Sequence, residues 1–280
     1  MTVDTVVSRT VRPLTNEEIS HYFTKGWTVA RGLIAPEWAD ELLEASKRLL
    51  GEDGEAEVPA GSGRNTISFF REFYGGSFRE PHFDEFIHNA ELGRSLSKLL
   101  YGGKEGAVRA QCDFVFVKLP EARANSVKNG WGAGATAFHQ DILSAAPVLG
   151  DMVTLQVALG DNTPEMGTMR FYEGSHKLGS IFHPGGPLDD PRIEDCELSE
   201  PITLAPGDVT IHSCFTVHGA GTNQTDKPRW NAGGCFFPAD APYTGKSEIN
   251  WPNVDQLHAN GEVTIGKPLA HELMPEVFRP

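Results

Sequence analysis

The amino-acid sequence predicts a mainly β fold, a sandwich or barrel with helices packed on its outside. Segments with helical periodicity come first along the chain. From residue 107 onward the chain consists of short apolar, β-branched and aromatic runs separated by Gly, Pro and Asp. Since helices precede strands and no internal repeat occurs, a β core with external helices is favoured.

Three helices are predicted in the N-terminal part. The first begins after Thr15, which has capping-box spacing to Glu18, and ends at Gly26. A strand follows over residues 27–34, and Pro36 begins the second helix. Apolar residues recur every three or four positions: Ile19, Tyr22 and Phe23 in the first helix, Trp38, Leu42, Ala45 and Leu49 in the second, and Leu92, Leu96, Leu99 and Leu100 in a third over residues 84–101.

The predicted strands lie within six later runs. They cover residues 112–119, 136–143, 152–160, 168–176, 208–215 and 229–237. The segment after Pro238 is rich in Pro, Gly and Asn and has no sustained period, so loops are expected there. We therefore expect one domain over residues 1–280, with a helical part at about 14–106, a β core at about 107–237 and a loop-rich tail at 238–280.

Composition excludes several classes of partner. The chain has 24 Lys and Arg against 38 Asp and Glu, a formal net charge of −14, and no basic stripe, which disfavours nucleic-acid binding. A coenzyme A thioester is also a less natural substrate than a small organic molecule. No signal-peptide core or long apolar run occurs, and the four cysteines show no CxxC spacing. We expect a cytoplasmic protein with reduced thiols and no membrane partner; its oligomeric state is left open.

A possible metal site begins at "TAFHQDIL", residues 136–143. In a strand, His139 and Asp141 point to one face and Gln140 to the other, although such a pair alone is more often structural. Two histidines and one carboxylate hold non-haem Fe(II) and leave three coordination positions open. His218 is the preferred third ligand, because glycines and an arginine follow it. His212 competes for that role, and we expect it to be structural.

Arg229 is a candidate carboxylate-binding residue. It lies eleven residues after His218, across the turn-like segment "NQTDKP", which we expect to form a hairpin. Its guanidinium presents paired donors that suit a carboxylate in a buried pocket. Without the metal residues, a surface arginine beside Trp230 is the better interpretation.

These segments together resemble one known family. "FHQD", "ALGDNTPEMGTMRFYEGSHK" and "PGDVTIHSCFTVHGAGTNQTDKPRW" are similar to motifs of the phytanoyl-CoA dioxygenase family of Fe(II)- and 2-oxoglutarate-dependent oxygenases. The opening "LTNEEISHYFTKGWTVARGLI" also resembles that family, so the similarity spans most of residues 14–237. The HxD pair is a weak signal, but its combination with a distal His and an Arg eleven residues later is strong.

The resemblance implies a double-stranded β-helix, which is a cupin-like jelly roll, and an enzyme that uses Fe(II), 2-oxoglutarate and dioxygen (O2). It implies that the metal is held by the catalytic residues His139, Asp141 and His218. It further implies that Arg229 holds the distal carboxylate of 2-oxoglutarate. By alignment, Phe114 and Gln156 line the cosubstrate pocket.

This chain departs from the family pattern at three positions. Ala220 stands where relatives often carry Ser, Gln156 where Trp is frequent, and Glu173 where Pro precedes "GSH". The resemblance therefore defines the metal site more closely than the lining of the cosubstrate pocket. Asp141 is retained, whereas related halogenases replace this carboxylate to admit halide, so halogenation is disfavoured.

The resulting hypothesis is oxidation of a C–H bond in a small organic molecule of natural-product biosynthesis. Hydroxylation is the default outcome, with cyclisation, desaturation and epimerisation as alternatives. Substrate contacts are expected from loops at 51–80, 121–135 and 183–200, and Trp131 is a candidate lid residue or an ordinary apolar anchor. Two other classes stay open: a metal-dependent hydrolase or isomerase without 2-oxoglutarate, and a non-catalytic binding protein on the same barrel.

Overall fold

The computed structural model describes residues 9–58, 63–64, 70–123, 133–246 and 253–280. Its helices are α1 (Asn16–Lys25), α2 (Pro36–Leu50), α3 (Pro81–Ile87), α4 (Ala90–Leu100) and α5 (Val254–Ala259). Its strands are β1 (Trp27–Ala30), β2 (Gly63–Arg64), β3 (Arg71–Tyr74), β4 (Val108–Lys118), β5 (Thr136–His139), β6 (Val153–Ala158), β7 (Met169–Phe171), β8 (Val209–Ser213), β9 (His218–Ala220), β10 (Arg229–Pro238) and β11 (Glu276–Phe278). The predicted mainly β fold with flanking helices is confirmed.

The strands form two antiparallel sheets. The large sheet has the order β1-β8-β6-β10-β4-β3-β2, and β11 pairs with β4 beside this path. The small sheet has the order β5-β9-β7. Residues of both sheets line one cavity, so the large sheet forms one wall of that cavity and the small sheet another.

Helices α1 to α4 cover the outer face of the large sheet, as the alternation along β4 illustrates. Val115 and Val117 of this strand pack into the same buried cluster as Trp38 of α2 and Leu96 of α4. The intervening aromatic residue Phe116, like its neighbour Phe114, instead belongs to a second cluster on the cavity side. Residues 114–117 of this strand are therefore apolar on both faces, which explains why this part of the sequence is hydrophobic without alternation.

Helix α1 has the predicted boundaries. The Thr15 hydroxyl accepts a hydrogen bond from the Glu18 backbone N–H, and the Glu18 carboxylate accepts one from the Thr15 N–H. Gly26 ends the helix with φ of 86°. A Cβ at this position would lie 2.4 Å from His176 Nδ1, so both the backbone conformation and the neighbouring ring require glycine. Pro36 begins α2 as predicted.

Several predicted elements differ in extent. The helix predicted at 84–101 is two helices, α3 and α4, because Asn89 caps α4 by accepting from the N–H groups of its first turn. The strand predicted at 27–34 ends at Ala30, and the one at 136–143 ends at His139. Residues Asp141–Leu143 form a single 3₁₀ turn. The tail, predicted as loops, contains α5 and β11.

The hairpin predicted between His218 and Arg229 is wrong. His218 begins β9, which pairs with β5 and β7, whereas Arg229 begins β10, which pairs with β4 and β6. The chain between them crosses from the small sheet to the large one. A turn-like sequence predicts a change of direction, but the pairing partner is set by burial, and β10 is buried along nearly its whole length inside the large sheet.

Candidate metal centre

The small sheet brings His139 and His218 together. His139 is the last residue of β5 and His218 the first of β9, and the two are register partners. Asp141 begins the following 3₁₀ turn, while Gln140 between them stays extended, with φ −111° and ψ 149°. The Gln140 amide bonds to the backbone of Gly179, Ile181 and Phe215. His139 and Asp141 therefore share one side, as predicted, although Asp141 lies outside the strand.

The candidate ligand atoms converge at one point. Asp141 Oδ1 lies 3.4 Å from His139 Nε2 and 3.8 Å from His218 Nε2. One ligand atom from each of the three residues lies within 4.8 Å of the other two. The His139 side chain is 43% exposed and that of His218 is 6% exposed, so the group opens to the cavity through His139. Two imidazoles and one carboxylate are a donor set that suits non-haem Fe(II).

Backbone hydrogen bonds fix both imidazoles in the form that can bind a cation. His139 Nδ1 lies 2.8 Å from the Ala137 carbonyl oxygen, and His218 Nδ1 lies 3.0 Å from that of Thr216. A carbonyl oxygen only accepts, so each Nδ1 carries the proton and donates it. The Nε2 lone pairs are then free to face Asp141 and a metal ion. Because both Nε2 atoms face Asp141, the three residues His139, Asp141 and His218 fit a bound Fe(II).

The charges at the site also suit a cation. Burial raises the pKa of the Asp141 carboxyl, but His218, His139 and His212 together outweigh burial and hold that pKa well below its ordinary value. Burial, together with the neighbouring His212 and His139, lowers the pKa of His218 well below its ordinary value. The carboxylate is therefore ionised and His218 neutral, which are the protonation states of metal ligands. Burial lowers the pKa of His139, but its contact with Asp141 outweighs burial and raises that pKa, so a metal ion would have to displace a proton from this ring.

His212 contacts the same carboxylate from the opposite side. It lies on β8, and its Nε2 is 3.1 Å from Asp141 Oδ2. The Thr154 hydroxyl of β6 donates to that same oxygen at 2.8 Å. The cluster of mutually close ligand atoms comprises His139, Asp141 and His218, without His212.

A cavity of about 260 Å³ adjoins the three candidate ligands. Its polar lining includes Thr154 and Gln156 of β6 and Arg229 of β10. Its apolar lining is mostly aromatic and includes Tyr74 of β3, Phe114 and Phe116 of β4, and also Phe70, Leu143 and Met169. The ring centroids of Phe114 and Phe116 are 5.4 Å apart at an interplanar angle of 27°, so this wall presents nearly parallel rings. The cavity is thus lined by charged groups, including Arg229 and the carboxylate of Glu72, and by aromatic rings.

Arg229 lines this cavity while being only 4% exposed. It donates to Asn231 Oδ1 at 2.8 Å and to the Met166 carbonyl at 3.2 Å, and it has no carboxylate partner within the described part of the chain. Burial lowers its pKa to about 10. Lys118, its register partner on β4, is fully buried, and burial together with Arg229 lowers the pKa of Lys118 to about 7. Arg229 stays protonated at this pKa, and a buried guanidinium without a carboxylate partner favours binding of an anion.

The remaining predicted site residues have different outcomes. Phe114 and Gln156 both line the cavity beside the candidate ligands. Trp131 lies outside the described residues. Phe70 and Tyr74, from the loop predicted at 51–80, line the cavity, and Tyr74 belongs to β3. Among the described residues of 183–200, none lines it.

Thr154 was missed by the sequence analysis, although the sequence contains a signal for it. It lies two residues before Gln156 in a run read as strand, so both side chains must face the same side of the sheet. Assigning Gln156 to the pocket therefore implied a hydroxyl at 154 beside it. Its contact with Asp141 could not be inferred, because it joins two segments whose relative position the sequence does not specify.

Comparison with protein families decides the classification. The phytanoyl-CoA dioxygenase (PhyH) family model matches residues 22–231, three quarters of the chain. The chain belongs to the phytanoyl-CoA dioxygenase family. This PhyH membership confirms the family suggested by the sequence motifs, and with it the jelly-roll class and an oxidoreductase that depends on Fe(II), 2-oxoglutarate and O2. No curated protein sequence matches this PhyH member.

Solved structures agree with the PhyH fold. The non-haem α-ketoglutarate-dependent epimerase SnoN from nogalamycin biosynthesis has a TM-score of 0.73 at 23% identity, covering 94% of this chain and 96% of SnoN. The carbocyclase SnoK from the same biosynthesis has a TM-score of 0.71 at 21% identity, with coverages of 94% and 96%. EvdO2 from Micromonospora carbonacea var. aurantiaca, complexed with 2-oxoglutarate, has a TM-score of 0.59 at 19% identity, covering 86% of this chain and 97% of EvdO2.

No helix in the described part of this PhyH member is both long and apolar enough to span a bilayer.

Proposed function

We propose that this PhyH-family enzyme binds Fe(II) through His139, Asp141 and His218 and oxidises a C–H bond of a small organic molecule. The observation that carries the proposal is the pair of histidines whose Nδ1–H groups are held by backbone carbonyls, with both Nε2 atoms directed at one oxygen of Asp141. This set leaves coordination positions free for a bidentate cosubstrate and for oxygen.

We assign Arg229 to the distal carboxylate of 2-oxoglutarate. Its guanidinium is buried, lines the cavity and lacks a carboxylate partner among the described residues. A cosubstrate carboxylate would supply the missing negative charge in a bidentate contact. Gln156, beside it in the cavity, would offer an amide to the same ligand, and Phe114 would supply an apolar wall.

The chain's own residues perform binding, orientation and exclusion of water. Fe(II), when bound with 2-oxoglutarate and O2, supplies the oxidising power, while 2-oxoglutarate is converted to succinate and carbon dioxide. The aromatic residues of the cavity, including Phe70 and Phe116, would hold the substrate carbon near the metal and keep water away. No separate acid–base pair is required for such a hydrogen abstraction.

The proposed substrate is a small molecule of natural-product biosynthesis, and hydroxylation is the expected outcome. The similar proteins SnoN and SnoK are an epimerase and a carbocyclase of nogalamycin biosynthesis, which keeps epimerisation and ring closure as alternative outcomes. We further propose a single domain over the chain and a cytoplasmic location, where reducing conditions suit ferrous iron and the free cysteines Cys112, Cys196, Cys214 and Cys235.

A metal-dependent hydrolase or isomerase on the same barrel is disfavoured. Such an enzyme has no need for 2-oxoglutarate, and the buried Arg229 beside Lys118 would then lack an anion. A non-catalytic binding protein is disfavoured because His139, Asp141 and His218 converge, and because both histidines direct Nε2, the nitrogen that can bind a metal ion, at this point.

The proposal is tested by incubating the enzyme with Fe(II), O2, 2-oxoglutarate and a panel of polycyclic and glycosylated natural products. Succinate formation should rise above background with at least one compound and should require all three cofactors. The product mass then identifies the outcome: addition of one oxygen for hydroxylation, loss of two hydrogens for desaturation or ring closure, and no change for epimerisation. Substrate conversion in the absence of 2-oxoglutarate would contradict the proposal.

A further inference from the structure

The two oxygens of the Asp141 carboxylate have separate surroundings. Oδ1 faces the Nε2 atoms of His139 and His218, at 3.4 Å and 3.8 Å. Oδ2 accepts a hydrogen bond from the Thr154 hydroxyl at 2.8 Å and lies 3.1 Å from His212 Nε2. One oxygen is therefore directed at the candidate metal position and the other at the large sheet.

The proton of His212 can be assigned from its contacts. The side chain is fully buried, and Nδ1 has no hydrogen-bond partner among the described residues. A proton on Nδ1 would be a buried donor without an acceptor, which is unfavourable. Nε2 by contrast lies at hydrogen-bond distance from Asp141 Oδ2, the oxygen that does not face the candidate metal position. The proton therefore lies on Nε2, where it is donated to Asp141 Oδ2.

The three histidines at the site consequently fall into two kinds. His139 and His218 donate from Nδ1 to backbone carbonyls and present a free Nε2 lone pair. His212 has the opposite tautomer and presents an N–H at Nε2. A nitrogen that carries a proton cannot coordinate a metal ion, so His212 acts on the carboxylate and not on the metal.

The donors to Oδ2 come from the most regular part of the fold. Thr154 and His212 are register partners on β6 and β8, both inside the large sheet, and both are buried. Asp141 by contrast lies on a 3₁₀ turn just beyond a four-residue strand. The His212 ring also packs against His218, with centroids 4.2 Å apart, so it contacts two of the three candidate ligands.

We propose that Thr154 and His212 are positioning residues that hold Asp141 Oδ2 away from the metal, so that Asp141 offers Oδ1 alone. This inference rests on the proposed metal site and deepens it. A carboxylate held by one oxygen occupies one coordination position, whereas a chelating carboxylate would occupy two and compete with a bidentate cosubstrate. Hydrogen-bonding partners of metal ligands of this kind contribute about 10- to 100-fold to metal affinity.

The first experiment compares two Thr→Val substitutions in the apo-enzyme loaded with Fe(II) under anaerobic conditions. Thr154→Val removes the hydroxyl on Oδ2, and we expect the Fe(II) dissociation constant, measured by competition with a chromophoric chelator, to rise about 10-fold or more. Thr210→Val is the matched control, because Thr210 is buried on the adjacent strand and its hydroxyl has no partner among the described residues. Thr154→Ser should restore the affinity. Equal affinities for Thr154→Val and Thr210→Val would overturn the role of Thr154.

The second experiment examines His212 directly. His212→Phe should weaken Fe(II) binding about 10- to 100-fold, and His212→Gln, whose amide N–H can replace the Nε2 donor, should regain most of it. Nitrogen-15 NMR with diamagnetic Zn(II) gives an independent readout. The His212 Nε2–H signal should persist when Zn(II) binds, while the Nε2 resonances of His139 and His218 shift. Loss of the His212 Nε2–H signal on Zn(II) binding would make His212 a ligand and overturn the inference.

Asp141→Ala separates failure of this inference from failure of the proposed function. Unchanged Fe(II) affinity in Asp141→Ala would show that Asp141 is not a metal ligand, and both proposals would be wrong. Lost affinity in Asp141→Ala with unchanged affinity in Thr154→Val and His212→Phe would leave the metal site intact and refute only the positioning role. Circular dichroism and the melting temperature of each apo variant identify those that fold; if His212→Phe does not, Thr154→Val alone decides.

Discussion

The two sheets that line the cavity contribute different kinds of group to the candidate site. The small sheet has strands of three or four residues and provides both imidazoles, with Asp141 on the turn beyond β5. The large sheet provides Thr154, Gln156 and Arg229 from strands that are buried on both faces. The proposed metal ligands thus come from short segments, and the groups that contact Asp141 or are proposed to bind the cosubstrate come from the large sheet.

The largest effect is expected on the small-sheet side. Asp141→Ala removes the one anionic ligand candidate, and we expect succinate formation to fall below detection because Fe(II) is no longer retained. Asp40→Ala on the exposed face of α2 is the control and should keep full activity. Measurable turnover in Asp141→Ala at ordinary Fe(II) concentrations would assign the metal to other residues.

A substitution in the large sheet should affect the cosubstrate and leave the metal in place. Arg229→Ala loses charge-assisted hydrogen bonds, so the 2-oxoglutarate concentration needed for half-maximal turnover should rise about 10- to 100-fold. Arg229→Lys keeps the positive charge but lacks the paired N–H donors of the guanidinium. Its 2-oxoglutarate requirement should therefore lie between those of wild type and Arg229→Ala. Fe(II) affinity measured without 2-oxoglutarate should not change. A parallel loss of Fe(II) affinity would mean that Arg229 contributes to metal binding as well as to cosubstrate binding.

Lys118 gives the large sheet a pH dependence of stability. Burial, with a smaller contribution from Arg229, lowers the Lys118 pKa to about 7 from its ordinary value of 10.5. Between these values the unfolded chain binds more protons at this residue than the folded one. The free energy of unfolding therefore gains a contribution that rises with pH, by up to about 1.4 kcal/mol per pH unit.

Lys118→Met should remove that contribution. The difference in unfolding free energy between wild type and Lys118→Met, from urea titrations at pH 7, 8 and 9, should shift in favour of wild type as pH rises. Lys98→Met serves as the reference substitution, because Lys98 lies in the last turn of α4 and is only partly buried. A pH-independent difference would show that Lys118 stays charged in the folded protein.

The smallest effect is expected away from both sheets. Thr15→Ala removes the N-cap of α1 and should lower the free energy of unfolding by about 1 kcal/mol. Thr24→Ala, in the last turn of the same helix, is the matched control and should change it by less than about 0.5 kcal/mol. Neither variant should alter Fe(II) affinity, and a change in either would connect α1 to the metal centre.

The sequence was most informative where the signals are local. Thr15, Glu18 and Gly26 determine α1 through contacts within a few residues, and Pro36 does the same for the start of α2. The His139 and Asp141 pair was also recognisable, because the extended backbone at Gln140 preserves strand alternation even though the strand itself has ended. The family motifs then identified the fold class.

Features that depend on distant segments were not predictable. β9 and β10 belong to different sheets because each pairs with different strands. Nothing in the connecting segment "NQTDKP" specifies those pairing partners. The contacts of His212 and Thr154 with Asp141 join positions that are 71 and 13 residues apart. A three-residue strand such as β9 is too short to produce a periodic pattern.

The 3₁₀ turn after β5 has a consequence for attempts to change the substrate range of this enzyme. Asp141 and Leu143 share this turn, and Leu143 lines the cavity and is 53% exposed. A residue of the cavity wall is thus two positions from a proposed metal ligand, and in so short a segment we expect a change at one position to move the other. Libraries directed at Phe70 or Phe116 would explore new substrates while the turn stays as it is, and Leu143 is the position to vary last.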